Sequence, residues 1–404
     1  MSTSILYHSF GIRGYKYLKS EFRNGATYFH IEKSSSKQYC SVCQSRNVIR
    51  KGCTIRKLKT LPVGDRRVYL ICYLHRLFCK SCGALRLEPL IISHRKKHWT
   101  KSLGRYILGL LEKCTIQDVA DHLGMSWDTV KEIHKWALQK KFKKIPLAEL
   151  QYLSIDEIAV RKGHNYLTVV IDLISGRVVW VCEGRTKESL AVFLKKLKRS
   201  KAPIKAIAMD MWPAYISAVK DAYGEGVIVF DHYHIIAELN RALDRLRIQE
   251  ASNADQDTAA VYKGSRYLLL RGGETLGVNP EAKAKLTRLL ELNTRLNTAY
   301  ILKEELRQLW SRCHIGKLAR MYLESWIEEV RTTDIKPLIE FSRLLTRHLE
   351  GIVNYFNHPI TTAKSEGINN KIKVLKRRAY GFRDQEYFKL RIYNLHNSRY
   401  SLVG

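Results

Sequence analysis

Five short apolar runs lie in a set order between Leu153 and Asp231, and no other feature restricts the fold of this chain as strongly. Leu153–Val160, Tyr166–Asp172 and Val178–Cys182 have the composition and length of strands, and Ser175-Gly176 turns the last two into a hairpin. A helix is predicted at roughly 187–199. The strand Ala206–Met209 then ends directly on Asp210, and a second helix (213–223) leads to Val227–Phe230, which ends on Asp231. Three antiparallel strands followed by αβαβ form an α/β sheet in which the first and fourth strands are neighbours.

That order is ribonuclease-H-like, and it places acidic groups. Asp156 sits mid-strand in an apolar setting, where an unpaired carboxylate is costly. Asp210 ends the neighbouring strand. Glu366 opens a later helix with Asn370, Lys373 and Arg377 at i+4, i+7 and i+11, all on one face. Each has a plainer reading alone: aspartates are frequent at strand ends, and the helix dipole favours a glutamate near an N-terminus. As a set converging on one sheet edge, they suit hard divalent cations. Two Mg²⁺ (or Mn²⁺) ions about 4 Å apart would activate a water or 3′-hydroxyl and stabilise the leaving oxygen of an in-line displacement. No nucleophilic Ser or Tyr is then required.

Charge names the partner. Lys and Arg number 70 against 38 Asp and Glu, a formal charge of +32 spread along all 404 residues. A nucleic acid is expected, with a ribosomal or membrane-surface partner as the competing reading. No apolar run reaches the ~18 residues that span a bilayer, and Met1–Phe10 lacks a secretory pattern. A cytoplasmic, nucleoid-associated prokaryotic protein is expected, without a membrane or small-molecule substrate. Its nine cysteines should be thiols or metal ligands.

Four of them form Cys40-Ser-Val-Cys43 and Cys79-Lys-Ser-Cys82, with 35 residues between the pairs. Each CxxC can bend two thiolates onto one cation, and four thiolates leave no open position, so a structural Zn²⁺ is expected; redox use is the alternative. Cys53, Cys72, Cys114, Cys182 and Cys313 read as buried small hydrophobes. Downstream, Ile116–His134 has the spacing of a helix-turn-helix. Val119, Ala120 and Leu123 form the buried face of its first helix, Gly124 permits the turn, and Ser126 caps a second helix with Val130 and Ile133 inward. Trp127, Asp128, Thr129 and Lys131 would face the major groove, and a helix at about 101–113 completes a trihelical unit. An ordinary helical hairpin is the competing reading.

The runs Ser154–Ile158, Met209–Tyr215, Phe230–Ile235, Lys364–Lys373 and Arg377–Arg383 resemble those of the ISL3 family of insertion-sequence transposases, from Cys40 to the C-terminus. The resemblance implies a DDE transposase acting on the terminal inverted repeats of its own element and on target DNA, with Asp156, Asp210 and Glu366 at the matched triad positions. His234, three residues after Asp231, is a candidate to assist near the scissile phosphate, or a partner of a helix-capping Asp231. Trp212 is a candidate to stack on an unpaired base, with core packing as the alternative. Lys373, Arg377 and Arg378 are expected to grip phosphates.

The expected architecture is multidomain α+β. An arm (1–35) precedes a zinc-binding domain (36–95) and a helix-turn-helix domain (96–148). The ribonuclease-H-like catalytic core (149–240) is interrupted by an all-helical insertion (241–350) and completed by C-terminal helices (351–404). A homodimer is expected. The rival functions are a non-catalytic DNA-binding regulator and a nuclease without strand transfer.

Overall fold

The structure, a computed structural model, describes residues 5–161, 165–255, 261–262, 264–271, 280–379 and 381–395. Tyr380, inside the Arg377–Arg383 run, lies outside them, as do the last residues of the expected C-terminal helices. The chain divides after Lys143 into two compact units.

In the first unit, helix α1 (Ile5–Phe10) precedes β1 (Tyr15–Arg23), β2 (Ala26–Lys33), β3 (Val48–Lys59), β4 (Arg67–Cys79) and β5 (Leu85–Leu87). The sheet order is β1-β2-β4-β3, with β5 pairing β4. Residues 1–35, expected to be a partly ordered arm, therefore contribute a helix and two strands. Phe29 and Ile31 of β2 are buried in a core with Leu6, Phe10, Val68 and Leu70, while Ala26 and Tyr28 pack with Ile71. The reason they read as an arm is that β1 is an exposed edge strand without clean alternation, while β2 pairs in parallel with a strand some 40 residues away in sequence, Ala26 opposite Arg67.

Three helices follow: α2 (Lys101–Leu110), α3 (Ile116–Leu123) and α4 (Trp127–Lys141). Thr115 and Asp118 form a reciprocal capping box on α3. Gly124 ends that helix at φ 56, and Ser126 caps α4. Val119, Ala120, Leu123, Val130 and Ile133 share one core with Trp99, Leu103 and Ile107. Lys59 Nζ reaches over from β3 to the carbonyls of Leu123 and Gly124, at 2.5 and 2.8 Å, and so fastens the turn to the sheet.

The second unit holds β6 (Tyr152–Arg161), β7 (Asn165–Asp172), β8 (Val178–Glu183), α5 (Lys187–Arg199), β9 (Ala206–Met209), α6 (Pro213–Tyr223) and β10 (Ile228–Phe230). Its sheet order is β10-β9-β6-β7-β8. β6, β7 and β8 are antiparallel, whereas β6, β9 and β10 are parallel. Alternation along the strands gives the sheet two buried faces. Leu153, Ile155, Val170 and Val179 join a core with α5 and α6 residues such as Phe193 and Tyr215. Ile158, Leu167, Val169 and Ile171 face α13 (Ala363–Arg378) and α14 (Gln385–Tyr393) through Ile368, Ile372, Phe388 and Ile392. Between these lie α7 (His232–Asn253), α8 (Arg266–Leu270), α9 (Pro280–Leu292), α10 (Thr294–Arg312), α11 (Gly316–Arg331) and α12 (Lys336–Asn357). Gly351 of α12 lies so close to Phe230 that a Cβ there would stand 2.4 Å from the ring. This close approach seats the helix at the end of β10. Among the described residues, no helix is long and apolar enough to cross a membrane.

Candidate active site and metal centre

Strand register sets the site. Ile155 pairs with Met209, the last residue of β9, so Asp210 falls level with Asp156. From Asp156 onward β6 has no strand partner on that side among the described residues, and the edge opens. Asp156 has the parity of Ser154 and Ile158 and so faces α13. There its Oδ2 accepts 2.7 Å from Asn369 Nδ2, and Ser365 Oγ donates 2.6 Å to Ser154 Oγ. The backbone N–H of Glu157 donates to Asp156 Oδ1 at 2.8 Å. Burial, reinforced by the nearby Asp210 charge, raises the Asp156 carboxyl to about 6. Burial and Asp210 also raise Glu157, and the Arg185 guanidinium, 3.4 Å from Glu157 Oε1, opposes them.

Asp210 is held by His234, whose Nε2 lies 2.6 Å from Oδ1. That bond raises the imidazole's affinity for a proton, against the effect of burial. His234 is thus paired with the strand-end carboxylate of β9. Asp231 has a separate task. It caps α7 by accepting from the Tyr233 N–H at 2.9 Å, and its other oxygen takes the Thr362 N–H at 2.7 Å together with the Thr362 hydroxyl. Burial favours the neutral form, yet the bonds from Thr362 and Tyr233 outweigh it, and the carboxyl is lowered. Asp231 therefore fixes the residue that precedes α13. Its stabilisation is present above the ordinary value of 3.8 and is lost as the pH falls below it. Asp231→Ala is expected to lower the unfolding free energy by about 2–3 kcal/mol at neutral pH, measured by denaturant titration, since a buried charge-assisted bonding set is lost.

Glu366 stands in the first turn of α13, exposed, on one outward face with Asn370, Lys373 and Arg377. Its carboxylate has no partner among the described residues. Asn369, three positions on and about 60° around the helix, meets Asp156 instead. The structure thus brings Asp156, Asp210 and His234 together, with Glu366 on the adjacent face of the helix that packs against Asp156. Asn369 is buried, and its Oδ1 finds no hydrogen-bond partner among the described residues. Lys373 and Arg377, with Lys376, line a shallow groove of about 540 Å³ beside Ile158 and Ala159. Arg378 is exposed at the end of α13.

Asn369, Glu157 and Arg185 were missed by sequence reasoning, because each acts through a neighbour distant in the chain or on the other face of β6. Trp212 is half-buried against the core; its Nε1 donates 3.0 Å to the Arg185 carbonyl, and its ring lies under the Arg185 guanidinium.

In the first unit, Cys40, Cys43, Cys79 and Cys82 place their sulfurs within 4.8 Å of one another, the one such set of three or more ligand groups among the described residues. Two similar knuckles build it. Gln44 (φ 63) and Gly83 (φ 70) each follow the second cysteine in the left-handed region, donating back to the carbonyls of Cys40 and Cys79. Backbone N–H groups of Cys43 and Val42 hold the Cys40 thiol below its ordinary value. The cluster could hold a metal ion. Of the other cysteines, Cys72 and Cys313 are buried and Cys182 is half-buried, whereas Cys53 and Cys114 are exposed, contrary to expectation. Cys53 lies on the edge strand β3, whose outer residues face solvent, and Cys114 in the turn after α2. In α4, Trp127 is exposed and stacked by Lys131 Nζ at 5.3 Å, while Thr129 is half-buried and its hydroxyl is bonded to that of Ser126 at 2.7 Å.

A family model described as transposase, of the DDE group designated ISL3, matches residues 153–392. The transposase for insertion sequence element IS1001 of Bordetella parapertussis is 36% identical over 367 residues, 90% of each chain. The transposase for insertion sequence element IS1557 of two Mycobacterium tuberculosis strains is 27% identical over 382 residues, 88% of this chain and 84% of the relative. A Drosophila P element transposase in a strand transfer complex aligns with a TM-score of 0.37 at 12% identity, over 74% of this chain and 92% of that one.

Proposed function

The chain belongs to the ISL3 family of transposases, and from that premise we propose that it cleaves the ends of its own element and joins them to target DNA at Asp156, Asp210 and Glu366. The observation that carries this is the Asp156–Asp210 pair on an open sheet edge, with α13 packed against Asp156 and its basic face turned outward. The strand order supports a ribonuclease-H-like core, and α2–α4 with their tight Gly124 turn support a DNA-reading helix-turn-helix.

The donor set suits hard divalent cations. Asp156 and Asp210, near enough that the Asp210 charge adds to burial in raising Asp156, and a buried Asn369 amide oxygen without a partner among the described residues, are oxygen ligands of the kind Mg²⁺ or Mn²⁺ takes. Asp156, Asp210 and Glu366 would hold the ions, which supply the charge that activates an attacking hydroxyl and stabilises the leaving oxygen. Asn369 orients Asp156, and His234 orients Asp210 while holding a proton at Nε2 beside the reacting phosphate. Asp231 and Thr362 set the start of the helix that carries Glu366. Lys373, Arg377 and Arg378 grip the DNA backbone, and Trp127, Thr129 and Lys131 dock the element's end. The four thiols hold a structural Zn²⁺. A homodimer places one active site at each end of the element.

The test is a strand-transfer assay with purified protein, Mg²⁺ and a DNA bearing the element's terminal repeats. Cleavage at the repeat boundary and joining of the freed 3′ ends to a target is the expected result. Cleavage without joining would leave a nuclease, and binding without cleavage a regulator.

A further inference from the structure

Arg185 lies in the loop between β8 and α5, and that loop is tied down on both sides. The Gly184 carbonyl accepts from the Thr168 hydroxyl at 2.7 Å, the Gly184 N–H donates to the Tyr166 carbonyl at 2.8 Å, and the Arg185 carbonyl accepts from the Trp212 indole at 3.0 Å. The side chain is fixed as well. Its guanidinium carbon lies 4.3 Å from the Tyr166 ring centroid and 4.3 Å from that of Trp212. Stacking of this kind freezes a side chain that otherwise has large rotamer freedom. Yet the group makes only one hydrogen bond among the described residues, a long one of 3.4 Å to Glu157. A guanidinium carries five N–H donors, so most of its donors remain for another partner. It is about one-third exposed, and so accessible.

Its position gives the partner's chemistry. Glu157 is next to Asp156, on the stretch of β6 left open where β9 ends, and Trp212 is two residues beyond Asp210. Among the described residues, Arg185 lies against Glu157 and His234 against Asp210, while Asp156 is held by the Asn369 amide. A rigid, flat, under-used guanidinium at such an edge matches a phosphate, which accepts two parallel N–H bonds. We propose that Arg185, clamped between Tyr166 and Trp212, grips one backbone phosphate of the DNA end close to the reacting bond, trading its long contact with Glu157 for it. The inference rests on the transposase reading above and assigns to it a substrate-contacting residue outside the acidic triad.

The experiment compares full-length wild-type protein with Arg185→Gln and Arg185→Lys on DNA ends in which single phosphates are replaced, one at a time, by neutral methylphosphonates. Gln keeps a flat amide between the rings, and Lys keeps the charge without the stack. On unmodified DNA, Arg185→Gln is expected to slow cleavage by about 10²-fold, the scale of a small misplacement of the reacting end, with Arg185→Lys in between. The salt dependence of end binding should flatten by about one unit of slope for Gln. At one modified phosphate near the cleaved bond, wild type should fall to the level of Arg185→Gln, and the variant should lose nothing more. Losses that multiply at every modified position would overturn the proposal. So would an Arg185→Gln variant that only melts earlier while cleaving normally. Wild-type protein that cleaves no DNA would instead remove the transposase reading itself, which separates the two failures.

Discussion

Asp156→Asn is expected to reduce DNA cleavage by about 10³-fold or more, the scale lost when a group acting on transition-state charge is removed, while leaving binding of the element's end intact. The same substitution should make the cation-free protein more stable at neutral pH. The sign follows from the raised carboxyl. In the unfolded chain Asp156 titrates near 3.8, in the native protein at about 6, with burial the larger cause and Asp210 the next. Between those values the native state holds more protons than the unfolded one, so stability falls as the pH rises through the window, and the full penalty applies above it. A shift of this size corresponds to at most roughly 3 kcal/mol, which Asn relieves while keeping an oxygen for the Asn369 amide. Mg²⁺ binding by the wild type should run the other way, weakening as the pH drops below about 6, where a proton on Asp156 competes with the ion. Thermal melting with and without Mg²⁺ at pH 5 and 7.5 checks both statements. An Asn variant that melts earlier than wild type without metal would contradict the penalty assigned to a buried carboxylate beside Asp210.

The second large effect lies in the other unit. Cys79→Ser should uncouple the end of β4 from the knuckle before β3, and the first unit is expected to unfold at a markedly lower temperature. Zinc binding coupled to folding is worth on the order of 10 kcal/mol in small domains, so its loss is comparable with the whole stability of an ordinary domain. Purified protein should carry roughly one zinc per chain, a closed four-thiolate site, and a strong chelator should reproduce the variant's melting curve. Zinc-free protein with an unchanged melting curve would show that the four sulfurs need no ion.

Much of this was legible because it is local. A CxxC fixes two thiols within one turn of chain, and the Thr115–Asp118 box, Gly124 and Ser126 are caps that act over three or four residues. The five strands of the second unit were readable from period and length, and the strand-end aspartates came with them. What escaped detection depends on pairing across the chain. β2 reads as part of a polar arm until β4 lies beside it. Asn369 reads as one more polar residue on a basic helix, yet that helix turns it, and not Glu366, directly onto Asp156. Arg185 is one of 70 basic residues by composition and is singled out only by two rings and a carboxylate brought from three other segments. Asp231 and His234 looked like a pair in sequence, but the fold separates their partners, giving one to Thr362 and the other to Asp210.

Glu366 is where sequence and geometry ask most of each other, since it opens the right helix but faces outward from it. Cysteine substitution with a change of metal examines it directly. Glu366→Cys should be inactive in strand transfer with Mg²⁺, which binds thiolates poorly, and should regain activity with Mn²⁺ or Cd²⁺, which accept them. Asp156→Cys and Asp210→Cys should behave in the same way. Undiminished activity of Glu366→Cys in Mg²⁺ would contradict the account, because the third acidic group of the site would then lie elsewhere.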